Sequence, residues 1–282
     1  MNGRDCSIVI KTASRETDLP YSSETIRDAV LMLLEEAAIE GDGVCRTIQR
    51  SAGVTGCVLT PLTIETAPFL FYLAMGNAAN PVFISQTKNI YRHSLNLLPL
   101  EDSPRFDLIQ DRGNGKRLYE SCAIKSFEVR IHREETIKLK LDITSSTPPT
   151  YLLPVTCYLL PASELFSGDN VTYKINGKEY TNIYGFTLSV KKESSTKTEV
   201  WIKRSLQAGA EIPEIIDELI ITPRLLRDKY EYTHFGTFRI IIKRLFLISD
   251  ETNINSADTV IGPLRYFASG SVTAEAFTGE KV

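Results

Sequence analysis

The sequence is poor in the residue types that most often build catalytic and metal centres. Its three histidines, His93, His132 and His234, lie far apart, and none belongs to a His-Glu-x-x-His or Cys/His ligand pattern. There is no Gly-x-Ser-x-Gly elbow and no Gly-x-x-x-x-Gly-Lys-Ser/Thr phosphate loop. We therefore expect no enzyme, no metal ion and no cofactor, with a catalytic site assembled from scattered residues as the open alternative.

Cysteine and long apolar runs are scarce as well. The five cysteines are an odd number without a Cys-x-x-Cys spacing, which favours free buried thiols in a reducing compartment. The first residues carry charges through their apolar run, so we expect no signal peptide. No window approaches about 18 uninterrupted apolar residues, the length of a membrane span. The sequence predicts a soluble, cytoplasmic protein.

The chain also lacks a surplus of positive charge. Its formal net charge is −3, whereas proteins that grip nucleic acid usually carry a basic excess to neutralise phosphates. Hydrophobic residues make up 43% and charged residues 24% of the chain, which is ordinary for a globular protein. Tight nucleic-acid binding is therefore not expected, although a surface along which nucleic acid merely passes is compatible with this charge.

Two stretches are predicted to be helical. In the first, residues 22–43, Ser22 or Ser23 is the candidate cap, apolar residues follow at helical spacing, and Gly41 or Gly43 is the candidate end. In the second, Thr66 is the candidate cap, Pro68 lies in the first turn, and Gly76 ends the helix. The middle of the second helix is apolar all round, which indicates a buried element or one wedged between subunits.

After about residue 80 the apolar residues recur with a period of two, as in half-buried antiparallel strands. The expected inward-facing sets are Phe127, Val129 and Ile131; Ile137, Leu139, Leu141 and Ile143; and Phe186, Leu188 and Val190. The stretch Arg239 to Arg244 has apolar residues between its charges and is predicted to be a strand. The fold class expected is mainly β, an antiparallel sandwich or barrel with one or two short helices.

An Asn-Gly-Lys sequence occurs twice, at Asn114 and at Asn176, each time between two extended runs. Asn-Gly supplies the positive φ angles of a tight turn, so each is a predicted β-hairpin tip. A Pro-rich connector, Ser145 to Pro154, lies between them. The repeat is a coincidence, or one fold with two similar hairpins, or a pair of related modules with bounds 1–146 and 147–282, the first carrying the N-terminal helical segment.

From Glu40 to Ile143 the chain resembles the tail tube proteins of long-tailed bacteriophages or prophages. The similarity consists of a short helix ending at a glycine, a His-x-apolar strand closed by a proline, a Phe-x-Leu strand, and a hairpin leading to a strand with a small-residue turn. The matching residues are Gly76, His93, Leu95, Leu97, Pro99, Phe106, Leu108, Tyr119, Cys122, Ile124, Ser126, Phe127 and Val129. The stretches "YGFTLSV" and "EVWIK" are similar to larger, two-module members. One departure is the helical propensity of residues 25–38, a region that members usually pass in extended conformation.

The resemblance implies a structural virion protein whose subunits form rings that stack into a hollow tail tube. The implied partners are further copies of itself, the tape-measure protein and other tail proteins, and DNA would pass through without specific binding. The implied place is the virion tail, after synthesis in the bacterial host cytoplasm. If the halves are duplicated modules, a trimer with pseudo-sixfold symmetry is expected; otherwise a hexamer. No membrane partner is implied.

The residues predicted to serve assembly belong to the second helix and to the hairpin tips. They are Phe69, Leu70, Phe71, Leu73, Asn114, Gly115, Asn176 and Gly177. The competing interpretation is a monomeric β-sandwich binding module, such as a carbohydrate-binding or tail-tip adhesin domain. Exposed aromatics on one sheet face would favour that module. Most aromatics lie in core phase, with Tyr119, Tyr180 and Tyr184 as candidate exceptions.

Overall fold

The computed structural model describes ten stretches of the chain. They are residues 7–35, 46–76, 81–85, 90–113, 115–152, 165–192, 196–205, 211–223, 238–250 and 261–278. Within them the protein is mainly β, every strand pairing with a known register is antiparallel, and one α-helix is present. The predicted mainly β, antiparallel fold class with a short helix is therefore confirmed.

Eleven strands and the helix precede residue 153. They are β1 Ser7–Lys11, β2 Glu16–Asp18, β3 Ser23–Glu24, β4 Arg27–Glu35, β5 Arg46–Pro61, α1 Ala67–Met75, β6 Val82–Ser85, β7 Ile90–Asn96, β8 Phe106–Asp111, β9 Lys116–His132, β10 Lys138–Ser145 and β11 Thr150–Leu152. In the part of the chain that the structure describes, eight strands follow the 3-10 turn Gly168–Asn170. They are β12 Val171–Ile175, β13 Lys178–Tyr180, β14 Ile183–Lys192, β15 Thr196–Ser205, β16 Ile215–Pro223, β17 Phe238–Asp250, β18 Ile261–Ala268 and β19 Val272–Thr278.

The chain divides into two compact units, and each is assembled from three separated stretches. Unit 1 comprises Met1–Val58, Arg105–Ala123 and Asp142–Leu160, and unit 2 comprises Leu59–Pro104, Ile124–Leu141 and Pro161–Val282. These units differ from the predicted modules 1–146 and 147–282, because contacts group residues from both sides of that boundary. The kinship of the two sequence halves stays a prediction.

Unit 1 contains a sheet in the order β2–β1–β8–β9–β11. Alternate residues of β1 and β8, including Ile8, Ile10 and Leu108, are almost completely buried, as the period-two pattern of a half-buried strand requires. The strand β5 pairs with β4, with β3 and with β10. This unit therefore holds the complete ladder between β4 and β5.

The first predicted helix is wrong, because residues 27–35 form the strand β4. Its ladder with β5 runs from Arg27 opposite Thr55 to Glu35 opposite Arg46. Glycines in β5 permit the close approach: a Cβ on Gly56, whose φ is +152°, would lie 2.6 Å from the Ile26 Cα. Tertiary pairing thus overrides the local preference of this sequence for a helix. The predicted end at Gly41 or Gly43 lies outside the described residues.

Unit 2 is built around the long strand β17. Its first half pairs with β19, which continues to β7 and β6, and its second half pairs with β18, which continues to β15, β14 and the C-terminal part of β9. β16, β12 and β13 follow on the other side of β17. The predicted inward-facing residues of β9, β10 and β14 are all buried, which confirms the period-two prediction.

The second predicted helix is confirmed as α1. Pro68 lies in its first turn and Gly76, with a φ of +104°, ends it through a bond from its N–H to the Tyr72 carbonyl. The capping differs from the expectation, because the Thr66 side chain makes no bond to the helix. Its hydroxyl instead pairs with the Thr63 hydroxyl at 2.9 Å.

The two hairpin tips have different structures. In the second, Ile175 pairs with Lys178, so Asn176 (φ +49°) and Gly177 (φ +79°) form the predicted two-residue turn. In the first, Asp111 pairs with Lys116, so the predicted hairpin tip is confirmed, but four residues intervene and the turn is wider than a two-residue turn. There the Asp111 carboxylate accepts a bond from the Gly113 N–H at 2.8 Å and shapes a wider loop.

Candidate assembly surface

The described residues show no cluster of metal-ligating groups. Among them, no three His, Cys, Asp or Glu side chains lie close enough together to hold an ion. Burial raises the pKa of the Cys122 thiol to about 12, so this cysteine is a packed side chain without thiolate character. The described part of the chain contains no helix with the length and hydropathy that crossing a bilayer requires.

The four helix residues predicted to serve assembly lie in the core of unit 2. Phe69 is 2% exposed, and Leu70, Phe71 and Leu73 are fully buried. The Phe71 ring packs on Phe238 with 4.7 Å between centroids. Another chain can reach none of these side chains in this conformation, so their first role is to stabilise the fold.

The predicted hairpin residues belong to different units, Gly115 to unit 1 and Asn176 and Gly177 to unit 2. Asn114 lies outside the described residues, and an added Cβ on Gly115 or Gly177 would meet no atom within 4 Å. Asn176 is different, because its side-chain oxygen accepts bonds from the N–H groups of Asp217 and Glu218 at 2.9 and 3.0 Å. These two hydrogen bonds connect the tip to β16 of the same chain.

A surface that the sequence did not reveal lies on β16, β17 and β18 of unit 2. Ile215 is paired with Phe246, and Phe246 is paired with Phe267 on the other side. These three side chains and Ile248 are 41–57% exposed. We call these four residues the β16–β18 surface. Neighbouring exposed apolar side chains form a contiguous patch, which makes this surface a candidate interaction site.

A bulge in β17 turns these residues outward. Arg244 has a φ of +55°, and both Lys243 and Arg244 are exposed, which breaks the alternation of the strand. The bulge is held from the neighbouring turn, because the Lys243 N–H donates to the Ser271 carbonyl and the Ser269 N–H donates to the Arg244 carbonyl. Leu245 is thereby buried while Phe246 is 44% exposed.

Charged and aromatic groups rim this surface on β15. Arg265 lies 5.1 Å above the ring of Trp201 and contacts both carboxylate oxygens of Glu199 at 3.0 Å. Arg204 bonds Asp250 at 3.0 Å. The flat face of Trp201, the single tryptophan of the chain, is therefore covered by a guanidinium group.

A second exposed apolar feature of unit 2 is the strand β6, which we call the β6 edge, defined by Val82 and Phe83. Among the described residues its sole strand partner is β7. Val82 is 48% and Phe83 is 42% exposed, and the Phe83 ring packs on Tyr91 at 5.0 Å. An edge strand with apolar side chains is a template for contact with another chain.

In unit 1 a network of polar side chains fixes the start of β4. The Glu24 carboxylate accepts bonds from Gln110 and Arg112, each at 2.9 Å. The Tyr119 hydroxyl donates to Asp28 at 3.2 Å, and burial raises the pKa of this tyrosine, so it keeps its proton as a donor. Tyr119 is buried, so its expected exposure is wrong.

Unit 2 also contains a polar cavity of about 280 Å³ beside the β12–β13 hairpin. Arg133, Asp169, Tyr173 and Glu179 are among the residues that line it. Arg133 bonds the Thr181 carbonyl and lies 5.7 Å from the ring of Tyr184. The cavity therefore combines a cation, two carboxylates and an aromatic ring, which suits a small polar molecule better than an apolar one.

No protein-family profile matches the chain, and no curated protein is significantly similar to it.

Proposed function

We propose that this chain is the subunit of a hollow tube of the phage tail type, in which rings stack and DNA and a tape-measure protein pass through the centre. The resemblance between residues 40 and 143 and tail tube proteins motivates the proposal. The observation that carries it is the β4–β5 ladder of unit 1, a feature that a monomeric sandwich does not need.

The ladder is long and its sequence is apolar. The strand β5 has 16 residues, a length of about 50 Å when extended, and β4 pairs with it at nine positions. Residues 30–34 of β4 are Val-Leu-Met-Leu-Leu, so the strand is apolar in sequence whichever face is considered. The ladder belongs to a larger sheet, because β5 also pairs with β3 and β10, and its apolar stretch needs cover from neighbouring side chains. Neighbouring subunits of a ring or stack supply such cover.

Polar contacts within unit 1 hold the start of the ladder. Glu24, Arg112 and Gln110 form the charge-assisted bonds described above, and the Arg112 guanidinium also donates to the Ile26 carbonyl at 2.7 Å. A strand pair that contacts a neighbouring subunit gains affinity when its conformation is fixed before binding. The proposed assembly is a trimer with pseudo-sixfold symmetry if the sequence halves are related, or a hexamer if they are not.

The test is a set of substitutions in β4. Met32→Asp and Leu33→Asp each put a charge into the apolar stretch of the strand, and we expect each to abolish the high-mass species that we predict for the wild type in light scattering. The matched control is Arg27→Ser, which changes an exposed residue at the start of the same strand. If both Asp variants assemble like the wild type while remaining folded, the ladder is not an assembly element and the proposal loses its main support.

A second candidate function is a glycan-binding module, favoured by Trp201 on the polar face of β15 and by the polar cavity at Arg133. The Arg265 guanidinium over the Trp201 ring counts against a stacking platform for sugars. Titration with glycans, followed by the fluorescence of the single tryptophan, tests this function. A saturable change that Arg133→Gln weakens, together with a binding heat in calorimetry that Trp201→Phe abolishes, would favour the module over the tube.

A further inference from the structure

The polar cavity beside the β12–β13 hairpin is lined by residues that all belong to unit 2. The 3-10 turn contributes Asp169, whose carboxylate accepts bonds from the Glu134 N–H at 2.9 Å and from the Ser167 hydroxyl at 3.3 Å. Arg133, which follows β9, donates to the Thr181 carbonyl. Bonds within the unit therefore orient a carboxylate and a guanidinium group of the lining before any ligand binds.

A buried tyrosine of this lining, Tyr173, has a hydroxyl without a hydrogen-bond partner in the part of the chain that the structure describes. The residue is 5% exposed, and its ring packs on Phe186 with 6.3 Å between centroids. Burial raises the pKa of Tyr173, while the Arg133 guanidinium acts in the opposite direction, so the hydroxyl keeps its proton. Buried tyrosine hydroxyls usually find a partner. Tyr173 is therefore an unused donor at the wall of the cavity.

The charges of the lining favour an uncharged ligand. Among the described residues the lining contains one cation, Arg133, and two carboxylates, Asp169 and Glu179. An anion would be repelled by both carboxylates, and a cation would be repelled by the guanidinium group. A neutral molecule with several hydroxyl groups avoids both penalties, because each hydroxyl can donate to a carboxylate or accept from Arg133 or Tyr173.

The size of the cavity limits the ligand to a small molecule. Its volume of about 280 Å³ lies just below the range of about 300–1,000 Å³ of pockets that hold drug-sized ligands. One sugar ring has the appropriate size, whereas an oligosaccharide chain does not fit inside. Tyr173 and Tyr180 supply aromatic surface for the C–H groups of such a ring, and Thr172 adds a further hydroxyl.

We infer that this cavity is a binding site for one uncharged sugar unit. Tyr173 donates to one sugar hydroxyl, Arg133 donates to a second, and the carboxylates of Asp169 and Glu179 accept from others. Such a site goes beyond the proposed tube, because a single chain forms it without a contact between copies. It also differs from the glycan platform considered at Trp201, which does not line this cavity.

The test measures binding by calorimetry and by saturation-transfer NMR. The probes are methyl α-glucoside, methyl α-galactoside, methyl α-mannoside and N-acetylglucosamine, with glycine and inorganic phosphate as charged comparisons. A ligand of about a dozen non-hydrogen atoms is expected to bind with a Kd on the order of 1 mM, so the titrations extend to about 20 mM. We expect at least one sugar to bind saturably, and every charged probe to bind more weakly than that sugar.

The variant Tyr173→Phe removes only the unpaired hydroxyl. We expect it to weaken sugar binding about fivefold and to keep or raise the thermal midpoint, since no bond within the protein is lost. Arg133→Gln should weaken sugar binding at least about tenfold. The matched control is Tyr119→Phe, the same change at a buried tyrosine of unit 1 whose hydroxyl donates to Asp28. This control should lower the thermal midpoint and leave sugar binding unchanged.

An absence of saturable sugar binding up to about 20 mM would overturn the inference. Sugar binding that Tyr173→Phe leaves unchanged would also overturn it, as would glycine or phosphate that binds more tightly than every sugar. A fall in the thermal midpoint of Tyr173→Phe would show that the hydroxyl is already bonded within the protein, which contradicts the site as described. The proposed tube fails on different grounds, namely wild-type particles without a central hole.

Discussion

At the scale of single residues, Lys192 stands out in unit 2 because its amine is buried. It is fully buried, and its Nζ donates to the Ser103 hydroxyl at 2.9 Å, while that hydroxyl donates to the Pro99 carbonyl at 2.9 Å. Burial lowers the pKa of the amine from 10.5 to about 8, because the charged form loses its hydration. Below that pKa the folded state therefore holds a poorly solvated ammonium group.

Replacing Lys192 by methionine should stabilise the protein at neutral pH. The pKa difference between the unfolded and folded states corresponds to a penalty of roughly 3 kcal/mol below pH 8. That penalty is relieved as the pH rises from 8 towards 10.5, because the folded-state amine is then neutral and removing the proton from the unfolded-state amine becomes progressively easier. The measurement is urea unfolding of wild type and variant at pH 7 and at pH 9.5.

The stability advantage of the Lys192→Met variant should be largest at pH 7 and should shrink at pH 9.5. Ser103 keeps its bond to Pro99 in the variant, so no polar group is left unpaired by the change. A variant that is less stable than the wild type at pH 7 would show that the ammonium group is stabilised where it lies.

At the scale of elements, the β12–β13 hairpin depends on Asn176 in two ways. Asn176 adopts a positive φ, and its side chain accepts two backbone bonds from β16. Asn176→Gly keeps the backbone conformation and loses the bonds, whereas Asn176→Ala loses both. We expect costs of about 1–2 kcal/mol for glycine and about 1 kcal/mol more for alanine, measured by urea unfolding. Equal costs would mean that the turn conformation contributes nothing.

Substitutions in the helix α1 distinguish a role in the core of unit 2 from a role at an interface between subunits. Phe71→Glu buries a charge against Phe238 and should unfold unit 2, with a cost above about 4 kcal/mol, seen by circular dichroism. Tyr72→Glu, at the one helix position that is not fully enclosed, is the matched control and should stay folded. A folded but non-assembling Phe71→Glu variant would contradict the core placement and restore the interface interpretation.

Elements with a strong local pattern could be predicted from the sequence. The strands β9, β10 and β14 alternate apolar and polar residues, and α1 carries both a proline in its first turn and a glycine at its end. The strand β4 was mispredicted because Val30, Leu33 and Leu34 fit a helical period equally well. Its partner residues, Arg46–Thr55, follow later in the sequence. The local helix or strand propensity of β4 gives no information about such a pairing.

The candidate surface could not be predicted from its own sequence. Residues 238–250 of β17 are apolar at most positions, so no alternation tells which side chains point inward. The bulge at Arg244 decides that Leu245 is buried and Phe246 exposed, and this bulge depends on bonds to Ser269 and Ser271 in another part of the chain. The bonds of Asn176 to β16 are equally non-local.

At the scale of the whole molecule, we propose that this chain assembles with itself into a hollow tube. The β4–β5 ladder, the β16–β18 surface and the β6 edge each leave apolar sequence or apolar area that a second copy can cover. The net charge of −3 is compatible with a channel in which DNA slides without tight phosphate contacts.

The most direct measurement is negative-stain electron microscopy of the purified protein over a concentration series, with the mass of the same samples measured by light scattering. We predict rings with a central hole that stack into tubes at high concentration, and a ring mass of three or six subunits. Particles that remain monomeric, or that associate without a central hole, at every concentration would contradict it.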